Sequence, residues 1–360
     1  MPDPTPSAPA LSPAAPRRRT LRGLTDLAAA GLVAPGRAAG LAAVAARYAV
    51  AVPPTIADLI DVTDPADPLA LSYLPDAREL DHTADEIADP IGDAAHMPVP
   101  GIVHRYPDRV LLKPLHVCPV YCRFCFRREM VGPGKEALDE AELDAALRYI
   151  AGRPEVFEVV LTGGDPLVLA PRRLADLLAR LAAIPHVGSI RLHSRVPIVT
   201  PERVDAALLA ALAAAPTVWL ALHVNHPREL GADAAAAIAR LTAAGVPLVS
   251  QTVLLAGVNA DVATLDALFR ALLRLKVKPY YLHHPDLAPG TGHFRLSLAA
   301  GRALYDALAK GLSSLARPTY VVDIPGGHGK VPVDAEHVVP RGDGGVWLVD
   351  RDGRRHPHPG

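Results

Sequence analysis

Between residues 109 and 316 the chain alternates two kinds of segment, and that alternation leaves few folds open to it. Short apolar runs recur: "RVLLKPL", "FEVVLTGG", "SIRLHSR", "TVWLALHV", "PLVSQTVLL" and "KPYYLHH". They are bounded by turn residues and read as strands. Between them lie amphipathic stretches: "DEAELDAALRYIAG", "PRRLADLLARLAAI", "PERVDAALLAALAAA", "DAAAAIARLTAAG" and "DVATLDALFRALLRL". A sixth, "LAAGRALYDALAKGLSSLA", follows the last run. Several of these start beside Pro or Asp and stop near Gly or Pro, as helices do. A strand–helix repeat asks for a parallel sheet with helices outside it. Six such units fall short of the eight that close a barrel. The expected fold is therefore α/β, a partial (β/α)6 barrel, with a doubly wound open sheet as the second choice. Either architecture places ligands at the carboxyl ends of the strands.

The rest of the chain arranges itself around that core. Residues 1–19 are rich in Pro, Ala and Ser and read as a disordered tail. Residues 20–100 read as Ala-rich helix, broken at Pro35 and at Pro53-Pro54, followed by Pro- and Asp-rich linkers. The core is expected over 101–317, with a C-terminal segment over 318–360. No apolar run approaches the ~18 residues of a membrane-spanning helix. Arg17, Arg18 and Arg19 precede an apolar stretch, but Asp26 and Gly31 interrupt it and no cleavage site follows. They read as a solvated basic tail, and the protein as cytoplasmic. With 37 Lys and Arg against 38 Asp and Glu, the charge balance offers nucleic acid no basic footprint.

The chain has only three cysteines, and all lie in "HVCPVYCRFCFRR": Cys118, Cys122 and Cys125. An odd, clustered set cannot build a disulfide framework. A cubane cluster takes a ligand on each of its four irons, and three thiolates leave one iron open for a small molecule. Zinc is the plainer alternative, with His116 as fourth ligand, although zinc sites usually pair two C-x2-C knuckles and one is present.

C-x3-C-x2-C after the first strand of a β/α barrel resembles the radical S-adenosylmethionine (SAM) enzymes. In that family a [4Fe–4S] cluster binds SAM at its open iron and reduces it to an adenosyl radical. "TGGDP" resembles the family's glycine-rich SAM element, which implies SAM contacts for Gly163, Gly164 and Asp165. The turn alone also explains the glycines.

A longer resemblance narrows the choice. "VPGIVHRYPDRVLL", "CRFCFRR", "IPHVGSIRLHSRVPIVTPERV", "HVNHPREL", "AGVPLVSQTVLLAGVN", "KPYYLHHPDLAPGTGHFR" and "VVDIPGGHGKVPV" are similar, in order and spacing, to the lysine 2,3-aminomutase family over roughly residues 60 to 340. The resemblance implies an isomerase that moves the α-amino group of L-lysine to the β-carbon. It also implies pyridoxal phosphate (PLP) held by Lys330 in "GGHGK". A P-loop reading of that loop fails, since Ile324 and Val331 stand where Gly and Ser or Thr are required.

By the same resemblance Arg105, Tyr106 and Arg109 lie near the PLP phosphate, and Arg127 meets the substrate carboxylate. His223 and Gln251 contact SAM, while Asp286 and Asp323 grip the ε-ammonium. Two acids there favour a diamino acid over glutamate. The longer members' C-terminal zinc-binding cysteines have no counterpart here, so the resemblance does not extend to that zinc or to the tetramer it supports. Phe126 and Tyr281-Leu282-His283 look like the shorter branch, which makes (R)-β-lysine for elongation factor P. Asp323 and "VVDIPGG" look like the longer branch. A radical SAM enzyme without PLP, a related aminomutase with another amino acid, and a metal-holding protein without catalysis remain as alternatives. An electron donor such as flavodoxin or ferredoxin is implied, and a homo-oligomer is compatible with the sequence.

Overall fold

The computed structural model describes residues 19–134 and 137–360, so the expected tail lies outside the described residues except for Arg19. A nine-stranded sheet runs in sequence order. Its strands are β1 Ile102–Tyr106, β2 Arg109–Leu115, β3 Glu158–Gly163, β4 Ser189–Ser194, β5 Val218–His223, β6 Leu248–Val253, β7 Lys278–His283, β8 Thr319–Asp323 and β9 Lys330–Pro332. Strands β2 to β8 pair in parallel. β1 and β9 add antiparallel pairs at the two ends.

The six expected strands are β2 to β7, and the sheet curls into the partial barrel expected of them. Strands β8 and β9, after residue 317, continue the same sheet, so a boundary there marks a change in sequence character and does not interrupt the sheet. A separate three-stranded sheet follows, from β10 Val338–Pro340, β11 Val346–Val349 and β12 Arg355–His358.

The period of two along a strand divides its side chains between two environments. Val159, Leu161, Ile190, Leu192, Leu220 and Leu222 face outward into the main apolar core. Leu174, Leu177, Leu178 and Leu181, on the helix Pro171–Ala182, meet them there. Each such side chain stabilises the fold by about 1.5–3 kcal/mol when fully buried. The alternate residues, among them Val160, Thr162, Arg191, His193, His223 and Gln251, line a cavity inside the curl.

Local signals fix the helices. Asp139 accepts from Glu142 N while the Glu142 side chain accepts from Asp139 N, a reciprocal cap on the helix Glu140–Ala151. Asp205, Asp261 and Ser297 cap the helices that begin at Ala206, Val262 and Leu298. The Ala-rich N-terminal region forms only short helices, including Leu24–Ala29, Ala42–Arg47 and Pro68–Tyr73. A single bridge from Leu21 to Val52 ties that region together. Among the described residues no helix is long and apolar enough to cross a membrane.

Candidate active site

A cavity of about 470 Å3 lies inside the sheet at the carboxyl ends of its strands. Every site residue expected from the sequence lines it: Cys118, Cys122, Cys125, Arg105, Tyr106, Arg109, Arg127, Gly163, Gly164, Asp165, His223, Gln251, Asp286, Asp323 and Lys330.

The cysteine loop leaves β2 and is clamped to the end of β3. Gly164 N donates to Leu115 O at 2.8 Å, and Asp165 N to Val117 O at 3.0 Å. A Cβ on Gly164 would stand 2.3 Å from Val117 O, and Gly163 has φ +98. The two glycines therefore let β3 approach the cysteine loop backbone to backbone. The Asp165 carboxylate accepts from Ser194 Oγ at 2.8 Å and from Arg195 N, Val196 N and Leu167 N at 2.7, 3.2 and 3.0 Å. Its oxygens thus tie the β3 turn to the β4 turn.

The arginines of "CRFCFRR" divide their work. Arg123 grips the buried Glu79 carboxylate through Nε at 2.9 Å, and Arg128 pairs with the same group. Glu79 caps a short N-terminal turn, so this pair locks the N-terminal region onto the cysteine loop. Arg127 turns the other way, with Nε 3.1 Å from Asp93 Oδ2.

At the far end of the cavity, Lys330 Nζ donates to Asp323 Oδ2 at 2.7 Å and lies 3.1 Å from His283 Nδ1. Burial would raise the Asp323 pKa, but Lys330 and His283 outweigh it and hold the carboxyl below the usual range. Asp286 moves the opposite way: burial, then the Asp323 charge, push it up to about 7. Burial and the Lys330 charge lower His283 to about 4, so its imidazole is neutral. Gly326, Gly327 and Gly329, ahead of the lysine, all have positive φ. A Cβ on Gly327 would meet the His96 ring at 2.8 Å. Tyr106 OH accepts from Lys330 N at 2.8 Å, and the Arg109 guanidinium lies 4.1 Å from the Tyr106 ring centre.

Sequence reasoning missed several residues of this site. Asp93 lay in a stretch read as linker. His283 served only to place the chain between branches. His193 and Arg195, in "HSR", were read as polar residues at the carboxyl end of a strand, where ligands are expected, but were given no role. For the two histidines and Arg195 the signal that matters is burial inside the cavity wall, which the alternating pattern does not separate from an ordinary strand end.

The model of the radical SAM superfamily matches residues 112–268, the span that holds the cysteine loop and the parallel strands to β6. The fold and the thiol loop thus define a radical SAM protein. The L-lysine 2,3-aminomutase of Acetoanaerobium sticklandii is 39% identical over 304 residues, which cover 84% of this chain and 73% of that one. The L-lysine 2,3-aminomutase of Clostridium subterminale is 38% identical, over 87% of this chain and 76% of its own. The glutamate 2,3-aminomutase of Clostridioides difficile is 34% identical, over 86% and 74%. The chain belongs to the lysine 2,3-aminomutase family of radical SAM enzymes, which are isomerases and work with a [4Fe–4S] cluster, SAM and PLP.

The residues present fit those groups. Burial raises all three thiols, Cys122 to about 12, so each needs a cation beside it to ionise. Among the described residues no three His, Cys, Asp or Glu side chains close on one point as a single-ion site requires. A cubane asks instead that each thiolate meet a different iron. Membership of a family that works with such a cluster favours it over the zinc alternative. Buried nitrogens with no partner among the described residues, His193 Nε2, His223 Nε2 and Arg105 Nε, mark polar walls ready for SAM and for a phosphate. Lys330 presents its amine to the same cavity.

Proposed function

We propose that this chain converts L-lysine to β-lysine by moving the amino group from the α- to the β-carbon. One observation carries the choice of substrate. The site already holds an alkylammonium, the chain's own Lys330, on Asp323. Asp286 supplies a second acid beside it and Arg127 a guanidinium for a carboxylate in the same cavity. A diamino acid matches that polarity at both ends. Glutamate would bring a carboxylate to the acids and lose by repulsion and desolvation.

The residues divide the work as follows. Cys118, Cys122 and Cys125 would hold the cluster. Gly163, Gly164, Asp165, His223 and Gln251 would border SAM. Arg105, Tyr106 and Arg109 would hold the PLP phosphate, where guanidinium forks suit phosphate oxygens, and Lys330 would hold the cofactor's aldehyde carbon. When bound, the cluster with SAM supplies a radical that takes a hydrogen atom, and PLP supplies a π system that delocalises the unpaired electron. Arg127, Asp286 and Asp323 fix lysine at both ends, which sets the β-carbon in one place. The apolar lining, with Val160, Val253 and Phe126, excludes water from the radical. A one-electron donor of the flavodoxin or ferredoxin type, a cytoplasmic setting and a homo-oligomer belong to the same proposal. So does a domain plan of core over 101–317 and lysine-bearing segment over 318–360.

The test is anaerobic incubation with SAM, PLP, reductant and either L-lysine or L-glutamate, followed by chiral product analysis. β-Lysine from lysine alone is the expected result, and its chirality separates the two branches. Turnover of glutamate but not lysine would overturn the proposal.

A further inference from the structure

Asp93 is fully buried and has three cations around it. Arg127 places Nε and the terminal NH2 group each 3.1 Å from Asp93 Oδ2. Lys113 Nζ lies 3.3 Å from the same oxygen, and Arg105 NH2 is 3.4 Å from Oδ1. Burial alone would raise this carboxyl, yet Arg127, Lys113 and Arg105 together hold it below the usual range. Arg105 also stands 4.0 Å from Asp323, the acid that pairs with Lys330, so four cations and two ionised acids leave a net positive charge of two in a largely buried place. Buried charge of one sign is costly unless anions complete it. The two arginines are the cations that face the cavity. Arg105 Nε is buried without a partner, so that side is built to receive an anion.

The backbone around Asp93 explains how the hub keeps its place. Asp93 N and Ala94 N donate to the Asp89 carboxylate at 2.9 and 2.8 Å. Gly326 N donates to Pro90 O at 3.3 Å, and Arg105 also reaches Ile91 O. His96 Nε2 lies 3.0 Å from Gly327 O, and a Cβ on Gly92 would stand 2.6 Å from Gly326 C. Segment 90–96 is thus a strut that touches Arg105, Arg127 and the glycine loop of Lys330.

We propose that Asp93 is the positioning residue that aims Arg127 at the substrate carboxylate and Arg105 at the cofactor phosphate, with Lys113 as the buried counter-cation that steadies it. The proposal rests on the reading of Arg127 and Arg105 given above. Asp93 lies behind the cavity lining. It restrains the Nε edge of Arg127 and one NH2 of Arg105, and so fixes the direction in which the remaining N–H groups point. A guanidinium held on one edge meets a carboxylate with less loss of rotamer freedom than a free one.

The test uses PLP-loaded protein and needs no radical chemistry. L-Lysine and L-lysinamide, which lacks the carboxylate, are titrated in and followed by the visible absorbance of bound PLP. Wild type should favour lysine by about tenfold or more, the worth of one charge-assisted hydrogen bond. Asp93→Asn should cut that preference to about threefold or less while lysinamide affinity stays close to wild type, and the apo variant should bind PLP more weakly. A role in stability alone would weaken both amines alike. Asp93→Glu keeps the charge, and with it the fold, but displaces the carboxylate by one methylene. It should also lose preference for lysine. If wild type prefers lysine and both variants keep that preference, the inference fails alone. If wild type shows no preference, the role of Arg127 fails and the inference goes with it.

Discussion

Asp323 and Lys330 face each other across the antiparallel pairing of β8 and β9, and the lysine Nζ lies 2.7 Å from the aspartate Oδ2. The lysine that would hold the cofactor therefore sits on the acid that would hold the substrate. Register fixes this relation, because residues paired across a ladder have their side chains on one face. On the proposed reading, the ammonium of Lys330 fills the place that the ε-ammonium of lysine would take.

Removing Lys330 should accordingly have two opposite effects. Lys330→Ala should retain no PLP after gel filtration and show no borohydride-trapped cofactor. The same apo variant should bind 6-aminohexanoate, an ω-ammonium acid with no α-amine, about tenfold more tightly than apo wild type. That is the scale of one hydrogen bond to a charged group. Calorimetry reads both proteins directly. Equal affinity would mean that Lys330 does not occupy the ammonium site.

Cys118→Ala, Cys122→Ala and Cys125→Ala should each abolish SAM cleavage and deplete iron and sulfide after anaerobic reconstitution. The fold should survive, because the thiols line the cavity and only Cys122 packs against the edge of the main apolar core. Iron analysis and far-UV circular dichroism on the same preparations check this. Full SAM cleavage in any one variant would refute the cluster assignment.

These sites were legible to different degrees. The strands announced themselves through short β-branched runs between capped helices, and the cysteine loop through spacing alone. Asp286, Asp323 and Lys330 carried no local signal and came only through resemblance. β8 and β9 escaped because "TYVVD" and "KVP" are short, and a three-residue strand such as β9 has too little sequence to show a period. Asp93 was hidden for a physical reason. A Pro-, Asp- and Gly-rich segment has the composition of an exposed linker, and here it is buried because three cations from β1, β2 and the cysteine loop need its carboxylate.

Asp323→Asn and Asp286→Asn keep side-chain shape and remove charge from the ammonium site. Each should lower kcat/KM for lysine by roughly ten- to a hundredfold, since a hydrogen bond to a charged group contributes about 1.5–3 kcal/mol. The double variant should lose lysine turnover almost entirely. Cluster content and SAM affinity should stay near wild type, because neither group presents an ammonium, and Asp286→Asn, which leaves the Asp323–Lys330 pair intact, should also keep its PLP loading. Wild-type turnover in both single variants would remove the basis for lysine as substrate.

Asp286 also sets a pH dependence whose sign can be worked out. Burial and the Asp323 charge raise it to about 7, so below that pH it carries a proton that an unfolded aspartyl group gives up near 4. Between those values the folded chain binds more protons than the unfolded one. The contribution of Asp286 to stability therefore falls as pH rises through that window. The Lys330 ammonium, seated on Asp323, already lowers the Asp286 pKa in part, and a substrate ammonium placed directly between the two acids would lower it further and favour the ionised form. Lysine binding should release a proton from Asp286 at or below neutral pH, and KM for lysine should fall as pH rises toward about 7 and then level off. Calorimetric titrations in buffers of different ionisation enthalpy count the released proton. Asp286→Asn should abolish the release and flatten the KM profile. A wild-type profile that is already flat from pH 6 to 8 would show that Asp286 does not meet the ammonium.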